Sequence, residues 1–198
     1  CRGKKLGALK LQVPGKHNIL NAMAAVAVGL DLDIPAKLIL QALRSYTGTG
    51  RRFELKKEVN DILVVEDYGH HPTEIKATLD AAKRGFIRRV VCVFQPPRYT
   101  RLSLLMESFA TAFNQADVLI VTEVYPAGEQ PIAGASGKRL YSEIQKFGHK
   151  SVYFEPNMKK IPRLLQRLAK PNDLVLVQGA GNIYKIVPDI IASLEDQT

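Results

Sequence analysis

The chain has 198 residues, 46% of them hydrophobic, and a formal net charge of +9 from 28 Lys and Arg against 19 Asp and Glu. That length suits one ordinary domain, or one domain with a remnant of another, and the apolar content excludes general disorder. No apolar run approaches the ~20 residues of a membrane span, the N-terminal segment lacks a secretory apolar core, and Cys1 and Cys92 alone build no disulfide framework, so a cytoplasmic protein is expected.

In chain order, "NILNAMAAVAVGL" is apolar nearly all round, which predicts a buried helix. Asp33 is placed to cap a second helix over 35–46. "TGTG" breaks the pattern, and "RRFELKKEVNDILVVED" reads as two strands about an Asn60-Asp61 turn. Two helices without a preceding sheet make a poor domain. Residues 1–49 therefore read as the tail of one domain and 50–198 as another.

Beyond residue 60, short β-branched runs at 62–66, 89–94, 117–122, 151–154 and 173–178 alternate with helical text at 72–84, 101–116, 136–147, 157–170 and 182–194. Continuous runs such as "VLIV" and "LVLV" suit strands covered on both faces. The alternation predicts an α/β fold with a doubly wound, mostly parallel sheet. Pro72 stands where a first-turn proline belongs, whereas Pro188 should kink or divide the last helix.

Ligands of an open parallel sheet bind beyond the carboxyl ends of its strands. There the chain places Asp67, Tyr68, His70 and His71, then Gln95, Arg98 and Arg101, then Glu123 and Tyr125, then "GAGN". Adjacent His70 and His71 point apart in extended backbone and lack further converging ligands, so no metal site is expected from them. Arg98 and Arg101, three apart at a helix start, can bring two guanidinium groups to one carboxylate or phosphate. "GASGK" lacks the spacing of a phosphate loop, and "GAGNIYK" lacks the third glycine of a dinucleotide fingerprint. The basic residues are scattered among helical text, and there is no Trp, which disfavours nucleic acid as a partner.

Six segments in order, "PGKHNILNAMAA", "GRRFE", "EDYGHHPTEI", "QPPRYTR", "EVYPAGEQPIAGASG" and "VQGAGNI", resemble the Mur ligase family over essentially the whole chain. Within it, "DYG" and "RYTR" resemble the branch that joins L-alanine to UDP-N-acetylmuramate more than the branch that attaches a whole tripeptide to the same sugar nucleotide. A binding module without activity is a further alternative. Departures are few: Pro97 replaces a common His, and Asn182 a common Asp. The resemblance implies a Rossmann-like C-terminal domain preceded by two helices of a central ATPase domain. It also implies ATP and magnesium, with amide formation through an acyl phosphate. It places His17, Asn18 and Asn21 near the adenine, and Arg52 and Asp67 near the nucleotide, with Asp67 accepting from ribose hydroxyls. Tyr68, His70, Arg98 and Arg101 would surround the alanine, with His70 either a base or a positioning group. No phosphate loop occurs in these 198 residues, so the family's metal ligands and its N-terminal and central domains are expected outside them, and no catalytic residue is assigned here.

Overall fold

The computed structural model describes residues 5–196; Cys1 lies outside them. Two helices come first, α1 (Lys16–Asp31) and α2 (Ala36–Ser45). A hairpin of β1 (Glu54–Val59) and β2 (Ile62–Asp67) follows, then α3 (Pro72–Gly85), β3 (Arg89–Phe94), the short α4 (Tyr99–Leu104) and α5 (Met106–Ala110), and β4 (Val118–Val121). The chain continues through α6 (Gly137–Lys146), β5 (Val152–Phe154), α7 (Ile161–Leu168), β6 (Asp173–Gln178) and α8 (Val187–Glu195). The six strands are ordered β1-β2-β6-β3-β4-β5; β1 is antiparallel to β2 and every other pairing is parallel.

Side-chain alternation along the strands divides the core in two. Leu63 and Val65 of β2, Cys92 and Phe94 of β3, and Leu174 and Leu176 of β6 join α3, α5 and α6 on one face. Val64, Val91, Val93, Val175 and Val177 join α7 and α8 on the other. Because both faces are covered, the middles of the central strands are apolar on both sides and polar residues stand only at their ends, as the expected doubly wound sheet requires. Burial pushes the Cys92 thiol far up, so it stays protonated.

Local signals set most element ends. Asn60 and Asp61 both take positive φ, 49° and 61°, the conformation of a two-residue hairpin turn. His71 caps α3: its ring accepts from Thr73 N–H, and Glu74 reaches back to the cap N–H, with Pro72 in the first turn. Pro188 does divide the last helical stretch, into a 3-10 turn over Ile183–Ile186 and α8. The helix expected over 101–116 is instead two short ones, α4 and α5, meeting at Leu105.

Two expectations for the first 50 residues fail. Asp33 caps nothing: it sits at φ 56°, and α2 starts after Pro35 without a side-chain cap. Nor is α1 a buried helix, since only Ala22 and Gly29 are buried and Met23 remains 62% exposed. Its apolar circumference meets α2 along one line, where a Cβ on Gly29 would stand 2.8 Å from Ile39; apolarity all round signals burial only where something covers every side. An apolar hollow of about 730 Å³ lies between α1 and residues 6–14. It offers a phosphorylated ligand no polar side chain.

Candidate functional site

The parallel register brings the strand ends level: Asp67 pairs with Gln178, Gln178 with Phe94, and Phe94 with Val121. Four loops therefore leave the sheet on one rim. They are tied to one another by backbone bonds, Gly179 N–H to Asp67 O (3.0 Å), Gln95 N–H to Gln178 O (3.1 Å) and Arg98 N–H to Tyr125 O (2.9 Å). Gly181 allows a close approach: a Cβ there would lie 2.3 Å from Gln95 Oε1 and 2.6 Å from the Tyr125 ring. Gln95 also fastens the last loop, accepting from Ile183 N–H and donating to Asn182 Oδ1 at 2.9 Å.

On the α1 side of this rim is a cavity of about 400 Å³ lined by His17, Asn18, Asn21, Arg52, Asp67, Gly69, Glu74 and Thr78 among others. All five residues expected at a nucleotide meet there, contributed by α1, by the strand-entry segment and by the end of β2. Asn18 Nδ2 donates to Pro14 O at 2.7 Å, which fixes the amide and leaves its oxygen as an acceptor toward the cavity. Arg52 is half exposed and 3.8 Å from Glu74, so it can turn toward an anion.

Asp67 is more occupied than its expected role suggests. Its Oδ1 accepts from Gly69 N–H (2.8 Å), Thr78 Oγ1 (3.1 Å) and Gln178 Nε2 (3.0 Å), and its Oδ2 from Phe53 N–H (3.0 Å). The side chain thus joins the start of β1, α3 and the end of β6. Acceptor capacity for a further donor remains mainly at Oδ2.

A second cavity, of about 360 Å³, is lined by His71, Thr100, Leu104, Leu105 and both arginines of interest, Arg98 and Arg101. Arg98 caps α4 at φ 29°, a backbone region rare for residues other than glycine and common at functional sites. Glu129 lies beside it, 3.9 Å from Arg98, and accepts from Thr100 N–H and Thr100 Oγ1 at 3.0 and 2.7 Å. Those two bonds, with Arg98 nearby, hold Glu129 below the usual carboxylate range.

Tyr68 and His70 line neither cavity; they belong to the segment between, where Gly69 borders the first and His71 the second. The Tyr68 and His70 rings meet edge to face at 5.4 Å. Burial lowers the His70 pKa, with the Tyr68 carbonyl and Glu74 pulling against it, so the imidazole is neutral at neutral pH. Among the described residues, no three His, Cys, Asp or Glu side chains converge on a common point, and no helix is long and apolar enough to cross a membrane.

Several residues at this rim escaped sequence reading. Glu74 had a signal, three positions after a capping residue and ahead of an apolar face. Thr78, Gln178 and Glu129 had none, because their partners lie 11, 111 and 29 positions away.

The profile of the Mur ligase, glutamate ligase domain matches residues 51–181. The UDP-N-acetylmuramate–L-alanine ligase of Geotalea daltonii is 48% identical over 195 residues, 98% of this chain but 43% of that protein. The crystal structure of UDP-N-acetylmuramate-alanine ligase from Thermotoga maritima superposes with a TM-score of 0.84 at 31% identity, covering 99% of this chain and 42% of that one. A murein peptide ligase from Psychrobacter arcticus gives 0.68 at 26% identity, covering 95% and 39%. This chain spans less than half the length of such relatives, and by its sequence and its fold alike it belongs to the Mur ligase family.

Proposed function

We propose that the chain is the C-terminal part of an ATP-dependent ligase that joins L-alanine to UDP-N-acetylmuramate, a step in peptidoglycan precursor synthesis in the cytoplasm. The observation that carries this reading is the pairing of two cavities on one rim. The first gathers His17, Asn18, Asn21, Arg52 and Asp67, and the second gathers Arg98 and Arg101, with a single stretch, Tyr68 to His71, between them. In this reading residues 1–49 belong to a central ATP-binding domain and 50–198 form the ligase domain. Asn18 and Asn21 hold the base, and Arg52 faces the phosphates. Asp67 accepts from the ribose with the capacity left on Oδ2.

Amide formation needs an activated carboxylate and an amine brought to it in the right orientation. ATP, as co-substrate, phosphorylates the muramate carboxylate; the alanine amine attacks the acyl phosphate and phosphate leaves. The contribution of this chain is placement, which by itself removes much of the barrier of a multi-body reaction. Arg98 and Arg101 grip the alanine carboxylate, the main handle on so small an amino acid. Magnesium would offset phosphate charge when bound, with its ligands mostly outside this chain. The neutral His70 positions the amine. The greater likeness to the alanine ligase than to the murein peptide ligase, 0.84 against 0.68 in TM-score, favours a single amino acid over a peptide.

The test is steady-state kinetics of the full-length protein carrying Arg98→Lys or Arg101→Lys, varying each substrate. An ammonium cannot reproduce the planar fork, so the KM for L-alanine should rise roughly tenfold to a hundredfold, the equivalent of about 1.5–3 kcal/mol, while ATP and the sugar nucleotide respond little. An unchanged response to L-alanine in both variants would return these arginines to an ordinary solvated helix.

A further inference from the structure

Arg51 lines neither cavity, yet its side chain is held by several partners. Nε donates to Glu66 Oε1 at 2.7 Å, and Nη2 donates to the carbonyl oxygens of Gly179 and Gly181 at 2.9 and 3.4 Å. The guanidinium carbon lies 4.3 Å from the centre of the Tyr184 ring and 4.8 Å from that of Tyr68. Its backbone is held as closely, at φ 59°. The N–H donates to Glu54 Oε2 at 2.8 Å, and the carbonyl accepts from Tyr68 N–H at 2.6 Å. One residue therefore spans β1, the end of β2 and the loop after β6.

Its neighbour behaves differently. Arg52 stands 5.2 Å from the same Tyr68 ring, but its side chain is 54% exposed and its one carboxylate, Glu74, is 3.8 Å away. Tyr68 thus lies beside one guanidinium tethered by hydrogen bonds and one that is free to follow a ligand in the first cavity. Without the tethered one, the ring would keep only the His70 edge and the exposed Arg52 beside it, and the Gly179–Gly181 loop would lose its only side-chain donor among the described residues.

We propose that Arg51 is a positioning residue for the amino-acid end of the site, fixing the Tyr68 ring and the Gly179–Gly181 loop against each other through one planar cation. This rests on the reading that Tyr68 serves the amino acid. The requirement is specific to arginine. Stacking between two rings while forking to a carboxylate and two carbonyls needs a flat group with donors along its edge, which an ammonium is not.

The experiment is a kinetic double-mutant cycle in the full-length protein with Tyr68→Ala, Arg51→Lys and the pair, varying L-alanine, ATP and UDP-N-acetylmuramate. Each single variant should raise the KM for L-alanine about tenfold and leave that for ATP within about twofold, and the pair should be no worse than Tyr68→Ala alone, as for residues acting through one contact. Tyr184→Leu, at a ring 40% exposed and tolerant of change, keeps the test open should Arg51→Lys fold poorly; it should shift the KM for L-alanine in the same direction. If Tyr68→Ala raises that KM while Arg51→Lys and Tyr184→Leu do not, or if the pair is multiplicatively worse, the positioning role is overturned and the amino-acid site stands. If Tyr68→Ala itself leaves L-alanine unaffected, the site reading beneath the proposal falls, and the proposal with it.

Discussion

Replacing Asp67 by alanine would take the acceptor from four donors at once: Phe53 N–H, Gly69 N–H, Thr78 Oγ1 and Gln178 Nε2. A buried donor left without a partner costs about 1–3 kcal/mol. Phe53, Gly69 and Thr78 border the first cavity, where water can replace part of what is lost; Gln178 is fully buried and cannot be so relieved. The sum is about 3–5 kcal/mol, a large part of the roughly 5–15 kcal/mol that holds an ordinary domain together. Asp67→Asn should do less harm, about 1–3 kcal/mol, because its oxygen can keep the three bonds of Oδ1 while its NH2 group confronts Phe53 N–H. Urea unfolding of the 198-residue chain, followed by far-UV circular dichroism, measures both. A loss under about 0.5 kcal/mol for the alanine variant, the range of an ordinary surface substitution, would refute the bracing role. If ATP binding in the full-length protein weakened at the same time, the carboxylate would serve the nucleotide alone.

Two further outcomes concern a pair of partly buried histidines and a buried ion pair. Burial is the largest influence on His70 and His149, and lowers both below 6.5; the unfolded chain then takes up these protons first, so stability is whole above about pH 6.5 and falls as pH drops toward the folded-state values. Unfolding midpoints over that window should show this slope, and His149→Gln should flatten it; an unaltered slope would count against the assignment. Asp173, 1% exposed, receives Arg89 through both carboxylate oxygens at 2.8 and 2.7 Å and Lys170 N–H at 2.8 Å. Asp173→Ala should cost about 2–3 kcal/mol by the same unfolding assay, somewhat under the ~3–5 of a fully enclosed pair, because the Arg89 side chain is 32% exposed and can rehydrate; a change within about 0.5 kcal/mol would show the pair to be dispensable.

Sequence by itself determined the features that depend on near neighbours. The apolar runs of β3, β4 and β6, the Asn60-Asp61 turn, the first-turn Pro72 and the division at Pro188 were all legible, because each is governed by residues within a few positions. So was the rim as a place, since a parallel sheet sends every strand's carboxyl end to one side. Where the same local rules were applied without their surroundings they misled. Asp33 had the side chain of a cap but a left-handed backbone, and α1 had a buried helix's composition with too little packed against it. Only the tertiary structure decided what the rim residues touch. Asp67 reads as a lone acid at a strand end until Gln178, 111 positions on, is found bonded to it. Arg51 carries no reading of its own in the sequence until the loop 128 positions away is found bonded to its guanidinium. A hydrogen bond needs a few tenths of an ångström of agreement between its partners. Over such separations only the sheet's register, the sum of the whole core's packing, supplies it.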